Sequence, residues 1–469
     1  MPLYAQPPPA LIHSPRVRHT QLRIRMLDGA WADDYGAYRA QRIGTARSAA
    51  WGAAEVMACP LRDLADQVSV LYVEEPAVGS TADPDAAADV LERWRLMNAQ
   101  QVLSRAQFLT EALNECAVRV DVLADGRMSL RPVTPDYLDG DALHGRPGSP
   151  GWIGEWLIRE TAQGPVWVQD HWDLRDPGNP RHTTRDAEGA VVETLEWPAE
   201  FRRADGSAVL PYSLRHSMPA PLSLWNPYYR RETVGGTLRL GVLSDMIDHS
   251  FVNAAFRQKY GINTVPLGAT TREDDGGAPI QQVAADPASI LLFQLDPDAP
   301  PGAQASLDQF DESAPIADMQ DVYERRLGML AQSWGINPAN LVRASPNPSS
   351  GVALSLSRAG IREVQRQRAP LYRDRDEQLA ALTAIVMNRL DGGARPESGY
   401  RIRYQLLPLS QGEQDQLVRE TMEMLRAPGG PLLTPAEARA RITGEDLETA
   451  RAALASVQTP PQTPEEGTP

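Results

Sequence analysis

Two cysteines, Cys59 and Cys116, and one lysine, Lys259, are all that 469 residues hold of those types. Two cysteines build neither a disulfide framework nor a zinc cluster, and such sparing use fits a reducing compartment. The 46 basic residues are therefore nearly all arginine. GC-rich coding produces that bias, and bidentate phosphate contacts would also favour it. No run of about 18 apolar residues occurs, so no transmembrane helix is expected. Met1 to Gln21 holds five prolines, two histidines and two arginines but no apolar core, which argues against a signal peptide. The signatures G-x-x-x-x-G-K-[ST], G-x-G-x-x-G, H-E-x-x-H, C-x-x-C and G-x-S-x-G are missing. Nothing here announces a nucleotide, a metal, a cofactor or a nucleophile, and neither cofactor nor catalytic residues are expected.

Positive charge is also in short supply. The net charge is −15 with a pI near 5.0, which disfavours a protein that coats nucleic acid. What is present is apolar substance: 42% of the residues are hydrophobic, enough for sizeable cores, and the length predicts two to four structural units.

Taken in order, Met1–Arg18 reads as a Pro-rich extended arm. Ala37–Ala58 and Leu61–Tyr72 have helical spacing. Asp83–Glu115 is a further helical region, with Asp83 as its cap and Pro84 at the first helical position. From Ala117 the period drops to two. Val118, Val120 and Val122 alternate, Asp125-Gly126 turns, and Met128, Leu130 and Pro132 return as a hairpin. Trp152–Arg159 and Val166–Leu174 form a second pair across Gln163-Gly164-Pro165, and Val191–Trp197 continues the β-rich tract. Asp186–Gly189 and Asp205-Gly206 read as turns. Five tryptophans (152, 156, 167, 172 and 197) gather here, which sheet packing explains and a ligand-stacking platform would also use.

The rest is organised around long helices. Thr237–Tyr260 carries Val242, Leu243, Met246, Ile247 and Phe251 at helical steps, with Gly261 closing it. Ile262–Phe310 is a compact insert with strand candidates at Thr264–Leu267, Ile290–Leu295 and Ala305–Phe310. Pro315–Trp334 is a shorter helix ended by Gly335. Ile336–Gly351, with three prolines and three asparagines, is a loop. Ser350–Leu390 is a helix of about 40 residues, roughly 60 Å long. Its apolar face includes Leu354, Ile361, Val364, Leu371, Leu379, Leu382 and Val386. The opposite face, with Arg358, Arg362, Glu363, Arg366, Arg368, Arg373, Asp374, Arg375, Asp376 and Glu377, reads as a salt-bridge-laced surface or a subunit interface. Pro370 should kink the helix near Arg366–Pro370. Tyr400–Leu407 is one strand, Gln411–Leu425 and Thr434–Val457 are helices, and Gln458–Pro469 is a polar tail. Three acidic sets are candidates for chemistry: Asp245, Asp248 and His249; Asp170, His171 and Asp173; and Asp274 with Asp275. Each reads first as a polar helix face, a strand or a solvated turn.

The ordered set then carries a resemblance. A strand-rich region is followed by Leu224-Trp225-Asn226-Pro227-Tyr228-Tyr229, a long helix and a small mixed insert. A helix ending in Trp334-Gly335-Ile336-Asn337-Pro338, a polar loop and Ser350-Gly351-Val352-Ala353-Leu354 opening a long helix complete the set. Asp66–Pro76 and Thr434–Arg439 fit the same order. This resembles the portal proteins of tailed bacteriophages. The resemblance implies an α+β portal-like fold: an N-terminal arm (1–18), a mixed α/β wing (19–236) and a stem helix (237–261). A small α/β clip (262–314), a second stem helix (315–335) and a tunnel loop (336–350) would follow. A kinked tunnel helix (351–391), a wing return strand (392–409), a short helical crown-like region (410–457) and a disordered tail (458–469) would complete it. The short stretch after Leu407 departs from a large crown.

By the same resemblance the chain would be a structural virion protein, not an enzyme. It would form a 12-mer ring at one capsid vertex, assembled in the host cytoplasm and away from membranes. The partners implied are double-stranded DNA passing through a channel, the terminase large subunit, a head-completion or adaptor protein, and the major capsid and scaffold proteins. The loop residues Asn337, Asn340, Arg343, Ser345, Asn347 and Ser349 would face DNA. Arg257, Lys259, Arg325 and Arg326 are stem candidates for transient phosphate contact. An acidic ring suits this role, because DNA has to slide rather than bind. Two other readings stand beside it. One is an enzyme whose Trp-rich sheet binds substrate next to Glu155, Asp170 and Asp173; the other is a virion protein of another kind, such as an adaptor.

Overall fold

The computed structural model describes residues 11–52, 59–80, 82–162, 164–218, 221, 223–255, short strands between 259 and 309, 316–336, 351–405, 411–426, 432–443 and a few residues elsewhere. The chain divides into two compact units, Met1–Pro346 with Glu363–Gln405, and Asn347–Arg362 with Leu406–Pro469.

The first unit opens on helices α1 (Pro15–Asp28), α2 (Ala32–Ile43), α3 (Thr45–Ala50) and α4 (Pro60–Val68). The Pro-rich arm is thus shorter than expected. Pro15 occupies the first turn of α1, where its missing N–H costs nothing, so Pro15–Arg18 is helical. Residues 1–10 lie outside the described residues. Gly44, at φ 89°, separates α2 from α3, which the Ala-rich sequence presents as one helix. Strand β1 (Ala77–Ser80) precedes α5 (Pro84–Leu96) and α6 (Ala99–Leu113). The Asp83 carboxylate caps α5 by accepting from the Ala86 N–H at 3.0 Å. Asn98, at φ 52°, breaks the expected single helix in two.

Strands β2 (Glu115–Val122) and β3 (Met128–Val133) form the hairpin across Gly126, and β9 (Tyr212–His216) joins the other side of β2. Between them lies a five-stranded antiparallel sheet of β4 (Leu138–Leu143), β5 (Arg146–Thr161), β6 (Gly164–Asp173), β7 (Arg181–Arg185) and β8 (Val191–Leu195), in chain order. Sequence reading missed β1, β4, β7 and β9. These are short and polar, and their pairing partners, not their own alternation, hold them extended.

Gly140 in β4 sits where a Cβ would meet the Trp152 carbonyl oxygen at 2.8 Å and Leu224 Cδ2 at 3.1 Å. The first neighbour is backbone in the adjacent strand and cannot rotate away. We expect Gly140→Ala to destabilise the protein by about 1–3 kcal/mol, read as a lower urea midpoint.

Helix α7 (Arg231–Ala255) begins six residues before the expected start, and Lys259–Gly261, expected to finish it, belong to strand β10 (Lys259–Ile262). Three antiparallel pairs nest in the insert that follows. β10 pairs with β15 (Ser306–Gln309), β11 (Thr264–Pro266) with β14 (Phe293–Leu295), and β12 (Thr270–Glu273) with β13 (Pro279–Gln282). In sequence the three pairs are nested, each a two-stranded sheet of its own. Among its described residues this insert is strand only, where a mixed α/β element was expected. The Asp274–Asp275 turn lies outside the described residues. Helix α8 (Ile316–Ser333) then returns, ended at Gly335 with φ 72°.

Helix α9 (Gly351–Asp391) runs unbroken through Pro370 and contributes to both units. Proline removes the N–H that would bond the Arg366 carbonyl, yet it does not end the helix. From Glu363 onward α9 is a core element of the first unit. Leu379 and Val386 are fully buried, and each such side chain contributes about 1.5–3 kcal/mol. Strand β16 (Tyr400–Arg403) pairs with β1, Ala77 opposite Arg403. The second unit includes α10 (Gln411–Leu425) and α11 (Pro435–Thr443). The expected capping box opens α11: Thr434 Oγ1 accepts from the Glu437 N–H at 3.2 Å, and Glu437 Oε2 accepts from the Thr434 N–H at 2.7 Å.

Candidate assembly interface

The start of α7 lies against the end of α8, so the two helices form an antiparallel pair. Trp334 Nε1 donates to Thr233 Oγ1 at 2.8 Å, and Gly236 leaves room for Leu330, whose Cδ atoms would lie 2.7 Å from a Cβ there. Tyr35 and Arg39 of α2 both bond Asp245 of α7 at 2.7 Å, which accounts for one of the acidic residues weighed earlier. The His249 ring lies 4.9 Å from that of Trp51.

Several apolar side chains of the pair are exposed. Phe251 is 63% exposed and Met329 68%, and Met246, Val252 and Val322 are also exposed. Arg325 and Arg326 stand exposed beside them, with only a loose pair from Arg325 to Asp321 at 3.8 Å. Exposed apolar side chains in the company of cations are the kind of surface that can take part in association. The Lys259 side chain, Arg257 and the loop residues Asn337, Asn340, Arg343, Ser345, Asn347 and Ser349 lie outside the described residues.

Two buried carboxylates organise the polar interior, and one of them holds the base of this pair. Glu111 of α6 is fully buried. Arg230, just before α7, reaches it at 3.0 Å, Arg368 of α9 at 3.6 Å, and the Tyr372 hydroxyl donates at 2.9 Å. The Arg230 guanidinium also covers the Trp334 ring at 4.2 Å, and Arg368 Nη2 donates to the Trp334 carbonyl at 3.1 Å. One carboxylate thus ties α6, α7, α8 and α9 at a single junction. One turn further along α9, the equally buried Asp376 takes Arg215 at 2.6 Å and the hydroxyls of Tyr72 and Tyr404, each at 2.6 Å. Steps of three and four place Gln365, Arg368, Tyr372, Asp376, Leu379 and Thr383 on one face.

This corrects the expected surface. Arg362, Arg368 and Asp376, read as part of a solvated charged face, are buried. Sequence reading also missed Glu111, Arg215 and Arg230. Glu111 carried a signal: it stands four residues after Gln107 and eight after Leu103, on the apolar side of α6.

The linker into α7 is clamped as well. Asn114 Nδ2 donates to the carbonyls of Asn226 at 3.0 Å and Tyr229 at 2.8 Å, and the Asn226 N–H donates to the Glu115 carboxylate. Burial raises the Glu115 carboxyl to about 7, against the Asn226 hydrogen bond and the charge of Arg23, which lower it. The unfolded chain releases that proton near 4.5. The protonated form therefore contributes stability that is complete below about 4.5 and is lost as pH rises through about 7. Glu115→Gln keeps an acceptor for Asn226. It should melt higher than the parent at pH 8, by up to about 3 kcal/mol, with the gap closing towards pH 5 in calorimetry.

The carboxylates of the Trp-rich sheet are held by cations. Glu155 is bound by Arg131 at 2.5 and 2.8 Å, Arg119 at 2.7 Å and the Tyr212 hydroxyl at 2.9 Å. Burial would raise it, but the Arg131 hydrogen bonds and the Arg119 charge hold it below the usual range. For Asp170 too, burial works upward and is outweighed. The His182 hydrogen bond at 2.7 Å and the Arg119 charge bring it to about 2. Asp173 is paired with Arg175 at 2.5 Å. Carboxylates so held stay ionised near neutrality and cannot serve as proton donors. The tryptophans are spent on packing: Trp172 stacks on His182 at 3.7 Å and meets Trp197 edge-on at 5.1 Å. His171 is buried against the Trp152 ring at 4.7 Å, and burial lowers it to about 4. Among the described residues no group of three or more His, Cys, Asp or Glu could hold a metal ion, and no helix is long and apolar enough to cross a membrane.

No protein-family model matches the chain, nor does any curated protein sequence. Among solved structures, it is similar to a chain in the neck of an empty GTA particle computed with C6 symmetry. That match has 12% identity over 82% of this chain and 88% of the other, at a TM-score of 0.39. So loose an overlap assigns neither fold nor function.

Proposed function

We propose that this chain is a ring-forming structural protein of the portal type, set at one vertex of a phage-like capsid. Its channel would pass double-stranded DNA during packaging and ejection. The observation that carries this reading is the α7/α8 pair itself. It is interrupted at its far end by a nested β ladder and followed by a 41-residue helix, with apolar side chains left bare along its length. That order is the one the sequence resemblance implies: two stem helices, a clip between them and a tunnel helix after them. In this reading Phe251, Val252 and Met329 meet the neighbouring subunit, and the β ladder docks the terminase and later an adaptor. Residues 337–350, which lie outside the described residues, would face DNA, with Arg343 the strongest candidate for a passing phosphate contact. The acidic ring repels the duplex elsewhere, which keeps it mobile. The proposal assigns no catalysis to the chain, so the packaging ATPase would be a separate protein.

Native mass spectrometry with negative-stain microscopy tests this. The expected result is a closed ring of roughly twelve subunits with a central channel. A protein that stays monomeric or dimeric, both alone and when co-produced with its cognate capsid and scaffold proteins, would overturn it.

A further inference from the structure

The five-stranded sheet has two edges, and the protein treats them differently. The outer edge of β4 is closed by its own surroundings. The Gly140 and Ala142 N–H groups donate to the side chains of the preceding Asp139 and Asp141, at 2.9 and 2.8 Å. The Leu138 carbonyl accepts from Arg16 at 2.6 Å, and the Gly140 carbonyl from Trp225 Nε1 at 2.9 Å. This is how proteins blunt an edge that would otherwise pair with another chain.

The other edge, β8, carries none of these devices. It pairs with β7 on one side, from Leu195 opposite His182 to Val191 opposite Arg185. Among the described residues no strand or side chain bonds its outer side. Its sequence, Val-Val-Glu-Thr-Leu, has no proline and no basic residue. Val191 is 54% and Val192 60% exposed, and Ile158 and Val166 at the tip of the β5–β6 hairpin are exposed as well. That tip is tied to β8 by Arg159 and Glu193 at 3.5 Å. Three exposed glutamates, Glu188, Glu193 and Glu196, lie in or beside the strand; Arg159 already pairs with Glu193, and Arg181 and Arg185 lie on the neighbouring β7.

We infer that β8 is a docking edge that takes up an extended, basic segment of a different protein as a sixth strand. Main-chain hydrogen bonds would supply affinity. Val191 and Val192 would cover the apolar side chains of the incoming strand, and the glutamates would select arginine or lysine on it. A second copy pairing β8 to β4 is blocked by the closed β4 edge. A β8-to-β8 pair would set the glutamates of the two copies against each other. The inference stands apart from the ring reading, since the edge is present in a single chain.

The test uses the full-length protein and three synthetic eight-residue peptides: alternating Thr/Val with two arginines, the same with two glutamates, and the arginine peptide with a central proline. Fluorescence anisotropy and amide hydrogen exchange are the readouts. The arginine peptide should bind saturably and protect the amides of residues 191–195. The glutamate and proline peptides should not. The doubly reversed E193K/E196K variant, altered only at exposed positions, should lose roughly tenfold in affinity for the arginine peptide and gain binding of the glutamate peptide. Absence of saturable binding overturns the inference. So does binding without protection at 191–195, or protection of β8 that appears with protein concentration alone, which would mark a contact between copies.

Discussion

Glu111→Ala is expected to cost about 3–5 kcal/mol of unfolding free energy, read as a large fall in the urea midpoint. The mutation removes one carboxylate but strands three partners. Arg230 and Arg368 are each less than a tenth exposed, and the Tyr372 hydroxyl is buried with them. Two guanidinium groups would be left without an anion in a region that excludes water, and that desolvation dominates the loss. Glu111→Gln retains an acceptor for Tyr372 and should fall between the parent and the alanine variant. Hydrogen exchange should quicken first at the start of α7 and the end of α8, because Arg230 and Arg368 are what the junction presents to Trp334. A midpoint within about 1 kcal/mol of the parent would show that the four helices are held by apolar packing alone.

If the chain assembles into the proposed ring, Phe251→Asp combined with Met329→Asp should abolish that assembly and leave a folded monomer. Both side chains are more than half exposed in the single chain, so changing them should move its own stability by no more than about 0.5 kcal/mol. An apolar side chain buried at an interface is worth roughly 2 kcal/mol, or about 30-fold in affinity, and every contact in a ring would lose it. Size-exclusion chromatography with light scattering distinguishes the outcomes. Rings of unchanged mass would mean that these residues do not lie between subunits.

The long elements were legible in the sequence because period and punctuation agreed. The expected α8 and α9 match to within a residue or so at each end, since Gly335, the prolines of the following loop and Gly392 mark their limits. Helix α7 was displaced: Arg230, at φ 52°, starts it at Arg231, and pairing with β15 draws Lys259–Gly261 into a strand, neither of which a local pattern reveals. The polar junctions stayed hidden for a different reason. Arg368 and Asp376 look like any charged helix surface until Glu111 and Arg215, more than a hundred residues upstream, are placed beside them. A buried ion pair is a property of two distant segments, and one segment read alone shows only its charge. The candidate association surface was half legible: Met246 and Phe251 were read correctly as helical, but which side of the helix would be left bare depended on where α2, α4 and α8 came to lie.

The nested ladder between α7 and α8 has a consequence for how such a chain can diversify. Lys259 stands opposite Gln309, so the first and last strands of the insert run side by side, about 4.5–5.5 Å apart where they pair. The rest of the chain then need not change with what lies between them. Strand pairs can be added, shortened or exchanged at the tip, two residues at a time, without altering the span the helices have to bridge. A nested insert of this kind would act as a cassette, exchangeable while the rest of the chain is kept.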